Sequence, residues 1–287
     1  MRRMVVVASV KGAPGATTTA LALATQWPTV DGEAPTGRGR STSTGTSASD
    51  GAGVRLLLEA DPSGGDVAAW RGLSQSPGLL DLAAAVRHGS DSGDLIARWA
   101  QPLTKPGALL VPAPASAAQA RAGSELLARN SFAAVRGANE AASSGVLVVD
   151  VGRLGPVETS WAGAADALVL VCKGGVDALA HVAAAIEDLK AAASWMCLAV
   201  VGPCPYPMAE IARNLGLDRV QHLPWDPDAV DALRRGAPPR RRRGRHTLPA
   251  AMEDLIREVR RHVELPAARP AAPPSAESPT HGWESHR

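Results

Sequence analysis

The sequence predicts an α/β fold in which a doubly wound, mostly parallel sheet carries helices on both faces. Short, continuous apolar runs alternate along the chain with segments whose apolar residues repeat at intervals of three and four, a pattern typical of buried parallel strands joined by helices. The chain has 287 residues, of which 45% are hydrophobic and only 3% aromatic. This is enough for one α/β domain with a core made mainly of Val, Leu, Ala and Ile.

The first predicted elements are a strand at 4–8, a turn rich in Gly and Pro, and a helix that starts near Thr17 and ends near residue 27. In this order they form a phosphate cradle, because small residues let backbone N–H groups close on an anion and the helix dipole adds positive potential. Compared with the pattern G-x-x-x-x-G-K-[ST], Val10 replaces the first Gly and Ala16 replaces the phosphate-binding lysine. The loop alone leaves open an ordinary strand–turn–helix with a Gly-rich bend.

Residues 11–18, with the sequence KGAPGATT, resemble the K-G-G-x-G-K-[ST]-[ST] loop of the ParA/MinD family of deviant Walker A ATPases. The resemblance implies a P-loop NTPase-like sheet and a loop that binds ATP with Mg²⁺. The missing positive charge at Ala16 then predicts slow or absent hydrolysis, because phosphoryl transfer depends on charge neutralisation. The predicted nucleotide-binding residues of the loop are Gly12, Ala13, Pro14, Gly15, Ala16, Thr17 and Thr18, of which Thr17 also binds Mg²⁺.

Lys11 stands at the early position of the family's signature lysine. In the family this lysine crosses a dimer interface to the phosphates of the partner. The resemblance therefore implies a catalytic role for Lys11 in a homodimer that forms on ATP binding. The alternative is an exposed loop lysine without a role.

Two acidic residues end predicted strands in the same order as in the family. Residues 54–70 are similar to the family's second strand and D-x-D-P-x-G-G turn, with Glu59 at the first acid and Asp61 at the second, and residues 146–152 are similar to the Walker B strand that ends in Asp150. The resemblance implies that Asp61 orients the attacking water and that Asp150 holds Mg²⁺ indirectly, beyond its direct ligands. Alternatively, each acid merely caps the helix that follows its strand.

A late turn, Leu223-Pro224-Trp225-Asp226, is similar to the family's P-[YF]-D turn beside the nucleotide base. The resemblance implies that Pro224 and Asp226 contact the base. Residues 166–172 are similar to the strand that follows the Walker B strand. Together the motifs cover residues 3–235 of the chain.

Apolar spacing predicts the remaining elements. Continuous apolar runs indicate strands, and apolar residues three and four apart indicate helices. Right-handed crossovers bring the carboxyl ends of the strands, and with them the motif residues, to one edge of the sheet. The further strands are predicted at 107–112, 145–150, 168–172, 197–201 and 220–223, and the further helices at 77–87, 91–99, 115–129, 131–142, 176–195, 208–215 and 227–235.

Composition divides the chain into a domain and three appended segments. The domain spans 1–235 and contains an insertion at 31–53 in which 14 of 23 residues are Gly, Ser or Thr. This segment has too few apolar side chains for burial to offset the conformational entropy that ordering would cost. We expect this insertion to be flexible. A basic linker at 236–247, an amphipathic helix at 248–264 and a disordered tail at 265–287 follow.

Positive charge is concentrated in one short segment. The net charge is +2, yet seven arginines lie between residues 234 and 245, a stretch without acids, and the other 23 basic residues face 28 acids. Such a cluster can contact DNA phosphates nonspecifically and in a salt-dependent way, although no aromatic residue is interleaved and no helix-turn-helix is evident. A solvated linker is the alternative. The candidate DNA contacts are Arg240, Arg241, Arg242, Arg243 and Arg245.

The helix at 248–264 resembles the membrane-targeting helix that ends MinD-like proteins. Its polar face mixes arginines with acids, whereas an interfacial anchor usually has a predominantly basic face. Docking on the domain itself is favoured, and contact with a membrane or with a pilus or secretion partner is the alternative.

The three cysteines have neither zinc spacing nor a C-x-x-C pair, so no disulfide framework or metal site is predicted from them. The chain has no run of 18 apolar residues, and its first strand begins within four residues of Met1, which leaves no room for a signal peptide. We expect a cytoplasmic protein.

The sequence thus predicts a ParA/MinD-like adenine-nucleotide-binding protein that acts by nucleotide-dependent dimerisation. Its role would be the partitioning or positioning of chromosome, plasmid, division or pilus and secretion cargo, with weakened ATP hydrolysis. The alternative is a pseudo-ATPase scaffold that recruits pilus or secretion components without turnover. A dinucleotide-dependent reductase is disfavoured because no G-x-G-x-x-G follows the first strand.

Overall fold

The computed structural model describes residues 2–28, 54–89, 94–104, 107–130, 132–136, 145–237 and 247–264. The predicted insertion at 31–53, most of the basic linker with its candidate DNA contacts, and the tail at 265–287 lie outside these residues. The strands are β1 (Arg3–Ser9), β2 (Arg55–Glu59), β3 (Gln101–Pro102), β4 (Ala108–Val111), β5 (Val146–Arg153), β6 (Ala167–Lys173), β7 (Met196–Val201) and β8 (Val220–Leu223).

The eight strands form one sheet in the order β3-β4-β2-β5-β1-β6-β7-β8. Every neighbouring pair is parallel except β3 and β4, which are antiparallel. The predicted doubly wound, mostly parallel sheet is therefore confirmed. Since β5 lies between β1 and β2, the carboxyl ends of these three strands meet at one edge, where Asp150 is in register with both Val7 and Glu59.

Helices cover both faces of the sheet. Alternate residues of β1 belong to different apolar clusters, with Met4 and Val6 in one and Val5 and Val7 in the other, as expected for a strand that is buried on both sides. The first cluster includes side chains of α3, α5, α7, α8 and α9, and the second includes α1 and α11. The helices are α1 (Ala16–Gln26), α2 (Val67–Arg71), α3 (Leu79–Arg87), α4 (Leu95–Arg98), α5 (Ala117–Asn130), α6 (Phe132–Arg136), α7 (Pro156–Ala164), α8 (Val176–Ala192), α9 (Met208–Leu215), α10 (Pro227–Arg235) and α11 (Leu248–Glu264).

Three elements were not predicted from the sequence: α2, α7 and β3. The α7 segment contains Pro156 and Gly163 and has no long apolar repeat, but its Trp161 is fully buried and meets Phe132 edge to face, with ring centroids 4.9 Å apart. Tertiary packing therefore holds this helix. β3 and α2 have two and five residues, too few to show a periodic pattern.

The last helix, α11, docks on the domain. Its apolar residues face the sheet beside α1 and β8, and Glu258 on its polar side forms an ion pair with Arg219. No helix in the described segments has the length and apolarity that crossing a bilayer requires. The buried side chains of α11 are Ala251, Met252, Leu255, Ile256, Val259 and Val263.

Candidate functional site

The loop between β1 and α1 has the backbone of an anion cradle. Gly12 and Gly15 have φ angles of 75° and 106°, in the left-handed region that glycine adopts without strain. The carbonyl of Gly15 accepts the first helical hydrogen bond from the Thr19 N–H at 2.8 Å, and no side chain of the described residues caps α1. Apart from the Ala16 N–H, which donates to the Ala13 carbonyl at 3.4 Å, the N–H groups of the first turn therefore remain available to a ligand.

This loop borders a cleft of about 370 Å³ at the carboxyl edge of the sheet. The predicted loop residues and Asp61 all line it, whereas Asp150 lies beneath its surface and Lys11 is not among its lining residues. Ala16 lines the cleft although its side chain is only 6% exposed. The lining residues are Ser9, Gly12, Ala13, Pro14, Gly15, Ala16, Thr17, Thr18, Asp61, Ser63, Asp66, Trp70, Gly152, Arg153 and Arg234.

Asp150 is fully buried next to the loop. Its carboxylate forms a hydrogen bond with the Thr17 hydroxyl and accepts another from the Gly152 N–H at 3.1 Å. Burial raises the pKa of Asp150 to about 7, and the negative charges of Asp61 and Glu59 act in the same direction, against the two hydrogen bonds. This carboxyl group therefore exchanges a proton near neutral pH.

Asp61 reaches the same place from the turn after β2. It accepts a hydrogen bond from the Ser63 N–H at 2.7 Å, which fixes the turn. Its carboxylate packs against Gly152, where an added Cβ would overlap it. Gly152, with φ of 61°, thus permits the close approach of β2's turn to the end of β5 and brings Asp61 next to Thr17 and Asp150.

Glu59 has a structural role that the sequence does not predict. Its side chain is buried and accepts hydrogen bonds from the N–H groups of Asp66, Val67 and Ala113 at 2.8, 2.8 and 3.2 Å. Burial raises the pKa of Glu59, and these hydrogen bonds oppose that shift. Glu59 therefore ties the turn that carries Asp61 to the start of α2 and the end of β4.

A second, largely apolar pocket of about 230 Å³ adjoins the cleft and shares Pro14, Gly15, Thr18 and Arg234 with it. Pro224 and Asp226, which the sequence predicts to contact a nucleotide base, line this pocket, and Trp225 between them is 65% exposed. The Asp226 carboxylate also accepts the Ala229 N–H at 3.1 Å and caps α10. The start of α11 closes one side with Leu248, Pro249 and Met252, which the sequence did not indicate.

Lys11 lies on the exposed side of the loop. It lines neither the cleft nor the apolar pocket. Its position suits both an exposed loop lysine and a residue that reaches a second chain, so its catalytic role stays a prediction.

The chemistry of the cleft fits a nucleotide with Mg²⁺. Glycine backbone and an open helix N-terminus suit phosphate, and the oxygens of Thr17, Asp61 and Asp150 are of the type that Mg²⁺ prefers. Within the described residues there is no group of three or more His, Cys, Asp or Glu side chains that could hold a metal ion.

The fold is similar to those of solved ParA and MinD ATPases. The cell division ATPase MinD of Pyrococcus furiosus matches with a TM-score of 0.63 and 14% identity over 91% of this chain and 99% of that one. The ParA family ATPase of Chlorobium tepidum matches with a TM-score of 0.60 and 15% identity over 92% and 96% of the two chains. The septum site-determining protein MinD of Pyrococcus horikoshii, in complex with Mg-ADP, matches with a TM-score of 0.61 and 14% identity over 89% of this chain and 96% of that one. No protein-family model and no curated protein matches the sequence.

The predicted likeness to the ParA/MinD fold is thereby confirmed across about nine tenths of the chain. At these identities the likeness concerns the fold.

Proposed function

We propose that this chain is a ParA/MinD-like protein that binds adenine nucleotide with Mg²⁺ and dimerises in response. The observation that carries the proposal is the convergence of the open α1 N-terminus, the Thr17–Asp150 pair and Asp61 on one cleft. The adjoining apolar pocket offers a place for the base, with Pro224 and Asp226 on its wall. A structure of similar fold is described as MinD with Mg-ADP, which supports the choice of ligand.

In the proposed site the backbone N–H groups of the loop at 12–18, in which Pro14 has none, bind the phosphates, and Thr17 with Asp150 holds the metal ion. Mg²⁺ supplies charge neutralisation at the phosphates when bound. Asp61, which lines the same cleft, orients the attacking water. Asp150 reaches the metal site through its bond to the Thr17 hydroxyl, so it acts as a charged support behind that hydroxyl.

Hydrolysis by this site is weak, because Ala16 contributes no charge where P-loops carry a lysine. The cellular role we propose is the positioning or partitioning of chromosome, plasmid, division or pilus and secretion cargo in the cytoplasm. Ala16 also favours the second candidate function, a pseudo-ATPase scaffold that binds nucleotide without turnover and recruits pilus or secretion components.

The first test is calorimetry and thermal unfolding with ATP and with NAD(P)⁺, each with and without Mg²⁺. We expect heat and stabilisation with Mg²⁺·ATP alone, amounting to about 2.7 kcal/mol when ATP is a hundredfold above its Kd. Millimolar Mg²⁺·ATP that gives neither heat nor stabilisation would refute the nucleotide proposal. A response to NAD(P)⁺ would favour a reductase.

The second test separates the slow ATPase from the scaffold. ATPase rate and sedimentation are measured against protein concentration for the parent, Lys11→Ala and Ala16→Lys, with Arg213→Ala as a control for removing an exposed cation. We expect turnover that rises with dimerisation and is lost with Lys11→Ala, and tighter nucleotide binding with Ala16→Lys. A parent that binds ATP but never turns it over supports the scaffold, and a Lys11→Ala variant that dimerises normally removes Lys11 from the mechanism.

A further inference from the structure

The cleft beside the loop is short of positive charge. Asp61 and Asp66 line it, and the cationic side chains on its lining, within the described residues, are Arg153 and Arg234. The phosphates of a nucleotide carry several negative charges, and backbone N–H groups offer only partial positive charge. A full cation near the phosphates is therefore needed, and Ala16 does not supply one.

Arg234 is held in place at this cleft by an aromatic ring. Its Cζ lies 4.3 Å from the centroid of the Trp70 ring, and Trp70 is itself on the cleft wall. The Arg234 Nε atom is buried and forms no hydrogen bond with any described residue. A guanidinium that rests on an aromatic face keeps its N–H edge free for in-plane bonds to oxygen. The contact thus orders the side chain without using its donors.

The helix that carries Arg234 is tied to the same wall. Arg71, the neighbour of Trp70 in α2, donates from Nη2 to the Leu233 carbonyl at 2.8 Å. The start of α2 is held by the bond from the Val67 N–H to Glu59. A continuous set of contacts therefore runs from the turn of Asp61 through α2 to the last turn of α10.

Arg234 also lines the apolar pocket, together with Pro14, Gly15 and Thr18. It therefore stands where the proposed base pocket opens into the loop cleft, between the base and the terminal phosphates. We propose that Arg234 supplies the positive charge that Ala16 lacks, by binding the phosphates nearest this junction in a nucleoside di- or triphosphate. This inference rests on the proposed nucleotide function and extends it.

The neighbouring residue provides a matched control. Arg235 is exposed on the surface of α10, where its Nη1 atom lies 3.8 Å from Oδ2 of Asp231. It lines neither cavity. Calorimetric titrations with Mg²⁺·ATP, Mg²⁺·ADP and adenosine are made on the full chain as parent, Arg234→Gln, Arg235→Gln and Arg153→Gln. We expect Arg234→Gln to weaken ATP and ADP by about tenfold or more, as for a lost charged hydrogen bond, with adenosine changed less than about threefold. Arg235→Gln should bind as the parent does.

Two further variants separate lost charge from lost folding. Arg234→Lys keeps the charge but lacks the planar edge, so its losses should be smaller than those of Arg234→Gln. Adding Ala16→Lys to Arg234→Gln should recover affinity for ATP, because it places a cation back on the cleft wall. Adenosine binding and a cooperative melt report that each variant is folded.

Each outcome decides between the two proposals. A parent that binds no nucleotide refutes the proposed function, and this inference with it. A parent that binds ATP while Arg234→Gln also binds it within about twofold overturns the inference alone. The inference is overturned too if Arg153→Gln shows the loss instead, or if Arg235→Gln loses as much as Arg234→Gln.

Discussion

Glu59, at the end of β2, lies opposite Asp150 of β5, and both are buried, but their hydrogen-bond partners give them different chemistry. The carboxylate oxygens of Glu59 accept hydrogen bonds from three backbone N–H groups, so this side chain stabilises the fold. Asp150 accepts one backbone bond and is joined to the Thr17 hydroxyl, which leaves it coupled to the cleft. Two buried acidic residues that face each other on neighbouring strands thus have different roles.

The pKa of Asp150 gives a pH dependence with a definite sign. The folded state raises this pKa from 3.8 to about 7, so the folded state binds more protons than the unfolded state between those values. The stability that Asp150 contributes is complete below about pH 4 and is lost as pH rises through 7, with a slope of at most about 1.4 kcal/mol per pH unit.

We therefore expect Asp150→Asn, without Mg²⁺ or nucleotide, to be more stable than the parent at pH 8 and to lose this advantage toward pH 5. Urea unfolding at pH 5, 6, 7 and 8 measures the difference. A difference that stays constant over this range would show that the Asp150 pKa is not raised. Asp81→Asn, at a partly exposed position, is the control.

The hydrogen bonds of Glu59 should contribute strongly to the stability of the fold. Glu59→Ala leaves three backbone N–H groups without their acceptor, two of them in buried hydrogen bonds, and we expect a loss of about 3 kcal/mol or more in the free energy of unfolding. Glu59→Gln should lose less, because its amide oxygen still accepts. Chemical denaturation measures both, with the exposed Glu187→Ala as the control. Parent-like stability in Glu59→Ala would contradict the structural role.

At the scale of elements, α11 links the fold to the site. It buries its apolar face on the sheet beside α1, and its first turn closes the apolar pocket. The apolar face that a membrane anchor would need is therefore covered by the domain. The helix acts here as part of the core and of the proposed base pocket.

Substitution on the two faces of α11 tests this role. We expect Leu255→Ala, at a fully buried position, to cost about 2–5 kcal/mol through lost burial and a cavity. Asp254→Ala, on the exposed face, should change stability by no more than about 0.5 kcal/mol. Denaturant unfolding compares them, and equal, small effects would mean that α11 does not dock in solution.

At the scale of the whole molecule, the end of α1 and the start of β2 are neighbours although residues 29–53 separate them in sequence. Nη1 of Arg55 donates to the carbonyls of Thr25 and Trp27 at 3.0 and 3.2 Å. A short connection can therefore replace the predicted insertion. The domain does not depend on a long link at this point.

We expect that replacing residues 31–53 by a short Gly–Ser linker preserves a cooperative melt and nucleotide binding, because a shorter loop costs little entropy. Circular dichroism follows the melt. Deletion of α11, with its buried face, is the contrasting variant and should broaden or abolish the transition. Loss of cooperativity in the linker variant would show that the insertion packs against the body.

Local sequence patterns predicted most of the architecture of this protein. Apolar runs and helical spacing are local properties, so they identified most of the strands and helices, and the strand–loop–helix pattern at Gly12 to Thr17 predicted where a phosphate cradle would lie. Parallel strands deliver their carboxyl ends to one edge, so Asp61 and Asp150 were expected together. The helices α2 and α7 were not predicted, because short or Gly-containing segments show little periodicity in their apolar residues.

Which groups share an environment depends on packing between segments that are remote in sequence. The pKa of Asp150, the burial of Glu59 and the docking of α11 depend on desolvation, which is set by neighbours distant in sequence. Arg234 looked like one more member of a basic segment, and its stacking on Trp70 beside the loop appears only when α2 and α10 are packed together. Pairwise contacts between remote segments leave no local pattern, because the chain brings them together only on folding.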